Sequence, residues 1–156
     1  MSNNDILRTL RYTFDFKDNQ MIEIFGLSGK EVSKSEVINW MKKEEDEGYQ
    51  AFFDKDLAYF LNGLIVKNRG KKDGELPKAE KSLNNNQIFR KLRIALTYKE
   101  DDILEVLSSV GMHISPHELS AFFRNPKQPQ YRVCRDQVLR YFLRGLQKRY
   151  RGTGYK

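Results

Sequence analysis

The chain has 156 residues, 39% of them hydrophobic and 31% charged, with a formal net charge of +7, a balance that suits one or two small globular domains and argues against disorder. The opening residues MSNNDILRTL place no apolar run behind a basic start, and no apolar stretch nears the roughly 18 residues a membrane span needs, so neither a signal peptide nor a membrane segment is expected. Cys134 is the single cysteine, which leaves no intrachain disulfide and makes the cytoplasm the expected compartment.

In chain order, Ile6, Leu7, Leu10 and Phe14 recur on one face and predict a first helix over 4–15, with Asn3 or Asn4 as the residue that accepts a bond from an orphan amide at its start. A second helix over 19–28 is capped by Asp18 and ends near Gly29. Ser33-x-x-Glu36 is a capping box that opens a third helix over 34–43, and Trp40 is assigned to the core. Asp54 caps a fourth over 55–69, where Leu57, Phe60, Leu61 and Leu64 share a face. No strand-like alternation occurs. The segment 71–83, KKDGELPKAEKSL, carries a glycine, a proline and mostly charges, and reads as a linker.

From Asn84 the pattern starts again. A constant offset of 82 aligns Ser2–Gly70 with Asn84–Gly152 without a gap, and about 20 of the roughly 70 pairs are identical where unrelated segments would match at about 4. YFLNGL from Tyr59 and YFLRGL from Tyr141 are the plainest case. Ser115-Pro116-His117-Glu118 repeats the capping box and adds a proline where a first-turn N–H is unpaired anyway. The chain is therefore read as an all-α tandem duplication, with a four-helix unit over 1–70, the linker, a second unit over 84–152 and a tail over 153–156. Units of about 70 residues are near the lower limit for a self-sufficient core, so the two pseudo-symmetric halves are expected to pack together. Gly63 and Gly145 each cost about 1 kcal/mol in a helix interior, which predicts that another helix approaches closely there.

The motifs NNDILRTLRY, LNGLIVKNRG, NNNQIFRKLRIAL, DDILEVL and DQVLRYFLRGL resemble the YehS family, bacterial proteins of about this length that carry a duplicated domain of unknown function. The resemblance spans essentially the whole chain. It implies a bacterial, cytoplasmic protein, and it supplies no activity, cofactor or catalytic residue.

Charge is the first functional signal. Residues 1–70 hold ten basic and twelve acidic side chains, net −2, the linker is +1, and 84–156 hold fourteen basic against six acidic, net +8. Arg140, Arg144, Lys148 and Arg151 fall at i, i+4, i+8 and i+11 and form one stripe of the last helix. The same positions in the first copy are Ala58, Asn62, Val66 and Arg69, so the shared fold does not require the stripe. Such a stripe, with Arg90, Lys91 and Arg93 added, can hold a phosphate backbone through counterion release. The plainer alternative is a solvated face, or an attachment for acidic residues such as Glu44, Glu45, Asp46 and Glu47.

Val32–Trp40 and Ile114–Phe122 echo the start of a helix-turn-helix recognition helix. The turn from Gly29 to Ser33 is too long, and Arg124 is the only cation on the second copy's third helix, so plain packing is preferred. His113, His117 and Cys134 do not assemble into a zinc set on spacing, and Cys134 is read as a small buried thiol, because Phe52 stands at its place in the first copy. No catalytic residue, metal or cofactor is assigned, and the reading leans away from an enzyme. Three functions stay open: a binding module associated with nucleic acid through Arg90, Lys91, Arg93, Arg140, Arg144, Lys148 and Arg151; a protein–protein adaptor or self-associating protein; and a small-molecule site at the junction between repeats. No membrane partner is expected.

Overall fold

The computed structural model describes residues 1–71 and 75–152, so the middle of the linker and the tail 153–156 lie outside the described residues. Among the described residues there are eight helices and no strand: α1 Asn3–Phe14, α2 Asp18–Leu27, α3 Lys34–Met41, α4 Asp54–Arg69, α5 Asn85–Leu96, α6 Glu100–Ser108, α7 Pro116–Ala121 and α8 Asp136–Arg151. The chain divides into two compact units, Met1–Leu83 and Asn84–Lys156, and the described part of the linker groups with the first. Each helix of α1–α4 starts 82 positions before its counterpart, as the gapless offset requires.

The helix starts follow the boxes at Ser33 and Ser115, whose hydroxyls accept from the backbone of Glu36 and Glu118 at 3.1 and 3.0 Å. The first helix of each unit starts one residue earlier than the expectation that Asn3 or Asn4 caps it. Ser2 and Asn84 are the caps, and their side chains accept from Asp5 and Gln87. Asp18 and Asp54 stand one place inside their helices, after Lys17 and Phe53. A carboxylate there still faces the positive end of the helix dipole. Helix α1 ends at Asp15 with φ 53°, and α5 ends at its counterpart Thr97 with φ 55°. Both are left-handed caps, a conformation that Asp tolerates and β-branched Thr disfavours.

Asn4 and Asn86 are buried because they do something other than capping. Asn4 Nδ2 donates to the carbonyls of Trp40 and Gln50 at 2.9 Å each, and its Oδ1 accepts from the N–H of Phe52 at 3.0 Å. Asn86 repeats this on Phe122, Arg132 and Cys134, at 3.0, 2.8 and 2.9 Å. One amide thus satisfies three otherwise orphaned backbone groups and ties the loop after the third helix to the first. Beside it, Asn3 and Asn85 each donate to Asp54 and Asp136 at 2.7 Å, which joins the first helix to the start of the fourth.

The core of the first unit is an aromatic cluster. Phe25 lies 5.5, 6.0 and 5.2 Å from Trp40, Phe52 and Phe60, ring centre to ring centre, and Trp40 lies 4.9 Å from Phe52. In the second unit the large ring sits on the other helix of the pair. Leu7 and Phe25 become Phe89 and Leu107, a swap that conserves volume, and Phe89 packs 4.8 Å from Phe142 and 6.3 Å from Phe122. Trp40, assigned to the core from the sequence, is buried there.

The glycines explain the duplicated YFLxGL. An ideal Cβ on Gly63 would fall inside the carbonyl of Ile24, and one on Gly145 would lie 2.5 Å from the carbonyl oxygen of Val106. No side chain fits at either crossing, so α4 meets α2, and α8 meets α6, backbone against helix.

Candidate nucleic-acid interface

Leu139, Phe142, Leu143 and Leu146 are buried and fix which side of α8 faces the second unit's core. Helical spacing then puts Arg140, Arg144, Lys148 and Arg151 on the opposite side. Arg140 and Lys148 are exposed, and Arg144 and Arg151 are half-buried. The guanidinium of Arg144 lies 5.3 Å from the ring centre of Tyr141, and Lys148 Nζ donates to Ser109 O, at the end of α6, at 2.8 Å. Both contacts hold the long side chains to the helix surface instead of leaving them free to sweep. Lys148, Arg149 and Arg151 also sit in the last turn, where cations oppose the negative end of the helix dipole.

The three α5 cations are arranged differently. Arg90 is exposed, and its Nη2 donates to Phe123 O at 2.7 Å. Arg93 lies over the Phe123 ring at 4.7 Å and donates through Nε to Tyr98 O at 3.2 Å. Lys91, half-buried, is turned about 100° from Arg90 around the helix. Arg149, which falls outside the i, i+4 stripe, stacks at 5.2 Å on Tyr98, and Tyr98 shares a 2.8 Å hydrogen bond with Tyr150. Burial, reinforced by that bond, pushes the Tyr98 phenol well above its usual range. Arg93 and Arg149 therefore meet at one tyrosine and join the end of α5 to the end of α8. Counting cations along a single helix could not find this link, because it runs through a loop tyrosine, by its carbonyl to Arg93 and by its ring to Arg149.

The first unit spends the corresponding arginines internally. Arg8 Nη1 donates to Lys42 O at 2.9 Å, and its Nη2 pairs with Asp5. Arg11 pairs with Asp18 at 2.6 Å. Burial raises the Asp5 carboxyl, but bonds from the Ser2 backbone and hydroxyl and the charge of Arg8 outweigh it and leave the group below its usual range. Where α8 carries its stripe, α4 carries Ala58, Asn62 and Val66, which are 0, 2 and 8% exposed, and keeps a cation only at the fourth position, Arg69. Asn62 Nδ2 donates to Lys78 O, in the segment before α5, at 3.4 Å.

The residues considered for enzyme or metal chemistry do not converge. His113 Nδ1 lies 3.3 Å from Ser108 Oγ, and His117 stands exposed in the first turn of α7. Among the described residues no three His, Cys, Asp or Glu side chains are placed to share a metal. Cys134 is buried, and that burial, with the nearby Asp136 carboxylate, pushes its thiol up to about 12. No helix among the described residues is long and apolar enough to cross a membrane.

The repeat has counterparts elsewhere. The family described as "Protein of unknown function (DUF1456)" matches residues 3–70 and again residues 85–152. The "Uncharacterized protein YehS" of Escherichia coli (strain K12) is 42% identical over 151 residues, which covers 96% of each chain. No solved structure matches.

Proposed function

The chain belongs to the DUF1456 family, whose description names no activity, and from its own surface we propose that it is a non-catalytic binding module of the cytoplasm that holds a nucleic-acid backbone on its second repeat. The observation that carries this is the contrast between equivalent helices. Four cations line the outer face of α8 in a repeat of net charge +8, while the same face of α4 keeps only the last of them, as Arg69, and carries buried Ala58, Asn62 and Val66 at the other three positions, in a repeat of net charge −2.

The first repeat folds without a cation at three of these four positions, and a polyanion would offset the mutual repulsion of the four in the second. A run of about 11 residues at 1.5 Å rise extends some 16 Å, enough to meet several successive phosphates of one strand. Arg149 and Arg93, joined through Tyr98, flank one end of the run, and Arg90 keeps donors beyond the one given to Phe123. No base-reading constellation accompanies the stripe, so recognition by charge and backbone fits it better than recognition of sequence. The third helix of each repeat packs against its core through buried side chains, Val37 and Trp40 in α3 and Leu119 and Ala121 in α7.

Fluorescence anisotropy with labelled duplex and labelled single strand at about 50 mM salt, run beside light scattering, tests the proposal. Binding without sequence preference by a protein of unchanged oligomeric mass is expected. Absence of binding at that salt overturns it, and a mass that shifts on Arg140→Glu with Arg144→Glu would favour self-association instead.

A further inference from the structure

In the second unit a cleft of about 180 Å³ lies among the start of α5, the end of α7 and the loop beyond it, lined by Arg90, Arg124, Gln87, Asn84, Phe122 and Tyr131. The equivalent place in the first unit is satisfied by its own side chains. Arg8 holds Lys42 O and the Asp5 carboxylate, Lys42 Nζ donates to Glu47 O at 2.8 Å, and the Tyr49 hydroxyl donates to Asn4 Oδ1 at 3.2 Å.

The second unit keeps the donors and has lost the acceptors. Arg90 repeats the carbonyl grip, on Phe123 O, but the position of Asp5 is now Gln87, whose Oε1 already accepts from Asn84 N at 2.9 Å. Lys42 is replaced by Arg124, whose side chain makes no hydrogen bond or ion pair among the described residues and whose Nε is buried without a partner. The Tyr131 hydroxyl likewise bonds nothing among the described residues. Three further carboxylates of the first loop, Glu44, Asp46 and Glu47, are Pro126, Gln128 and Pro129 in the second. A guanidinium nitrogen taken from water without an acceptor is costly, and such groups in native proteins have a reason.

We propose that this cleft binds a carboxylate from outside the chain, in the place that Asp5 fills from inside the first unit. A planar carboxylate accepts two parallel bonds from a guanidinium, and here two guanidinium groups and a phenol surround one small space. The carboxylate can come from a free organic acid or from an acidic side chain of a peptide.

The test is a pair of titrations of isotope-labelled protein followed by amide shifts, one with succinate and one with a capped tetraglutamate peptide, at fixed ionic strength. Saturable shifts at Gln87, Arg90 and Arg124 are expected. Tighter saturation by the peptide would identify a protein source, and tighter saturation by succinate a free acid. Gln87→Asp, which copies Asp5 and keeps an acceptor for the cap, should abolish saturation, because the internal carboxylate occupies the site. Arg124→Gln should weaken binding about tenfold or more, as expected for loss of a charged hydrogen bond. No saturation by either ligand, or saturation unchanged in Gln87→Asp, overturns the proposal. So does inorganic phosphate saturating the same amides at lower concentration than both. Arg140→Glu with Arg144→Glu should leave these titrations unchanged, so this site and the α8 surface fail or survive separately.

Discussion

Helices α4 and α8 are copies of one pattern and differ in what they present on their outer face. Each crosses its neighbour at a glycine that admits no side chain, and each buries the same apolar positions, so the packing seam of the repeat is intact in both. They differ on the opposite side. Ala58, Asn62 and Val66 of α4 are withdrawn from solvent, whereas Arg140, Arg144 and Lys148 of α8 carry charge on the outside of the unit. Duplication preserved what folds the unit and released what the unit shows to solvent. The same division runs through the loops after α3 and α7, where the buried asparagine is kept and the carboxylates around it are not.

The strongest way to break this comparison is to remove the shared latch. Asn4→Ala strands two carbonyls and one N–H at about 1 kcal/mol or more each, so the first unit should lose about 3 kcal/mol, read as a shift in the urea midpoint of Trp40 fluorescence. Asn86→Ala should cost the second unit a similar amount by circular dichroism. A cost in one unit and none in the other would show that the two networks are alike in geometry only.

The next largest effect is at the crossings. Gly63→Ala drives a methyl group into the Ile24 backbone, which cannot rotate away, and should cost about 3 kcal/mol. Gly145→Ala meets Val106 and should cost about 1–2 kcal/mol in the same assay, because half of that obstacle is a side chain that can turn. Equal stability of both variants and the parent would contradict the close approach.

The smallest expected effect concerns Cys134, which stands where the first unit has Phe52. Its folded pKa is raised from 9.0 to about 12, so the folded state keeps the proton longer than the unfolded one. The contribution to stability is complete below about pH 9 and declines as pH rises toward 12. Urea midpoints at pH 8 and 10.5 should therefore fall more in the parent than in Cys134→Ala, and thiol labelling of the folded protein at pH 8 should be far slower than that of a free cysteine. A thiol that labels at the free rate would mean the site is open.

The all-helical duplication and all eight helices were legible because apolar spacing and a gapless offset are properties of the sequence itself. The glycine crossings were legible for a related reason: a glycine kept in both copies of a helix interior needs a compensating contact. The asparagine pair was visible as a repeated dipeptide but misread, since local rules assign an asparagine at a helix start to capping, and only the folded loop shows that Asn4 and Asn86 serve carbonyls 36 and 46 residues away. Thr97 gave no sign of its left-handed cap, because a β-branched side chain disfavours that backbone, and Asp15, a type that tolerates it, is not kept in the second copy to mark the position. On the basic surface, the α8 stripe followed from spacing alone. The link from Arg93 through Tyr98 to Arg149 did not, because it depends on where a loop tyrosine lands, and the unpaired Arg124 could be recognised only by comparing its surroundings with those of Lys42.

If the proposed function holds, the outer face of α8 binds a phosphate backbone and the matching face of α4 does not. The most direct measurement is the salt dependence of duplex affinity for the parent and for Arg140→Glu with Arg144→Glu, between about 50 and 200 mM. Log affinity should fall linearly with log salt, at about −0.9 for each phosphate neutralised, with a slope shallower by about 2 in the variant and lower affinity on every sequence tried. An unchanged slope and affinity in the variant would contradict it.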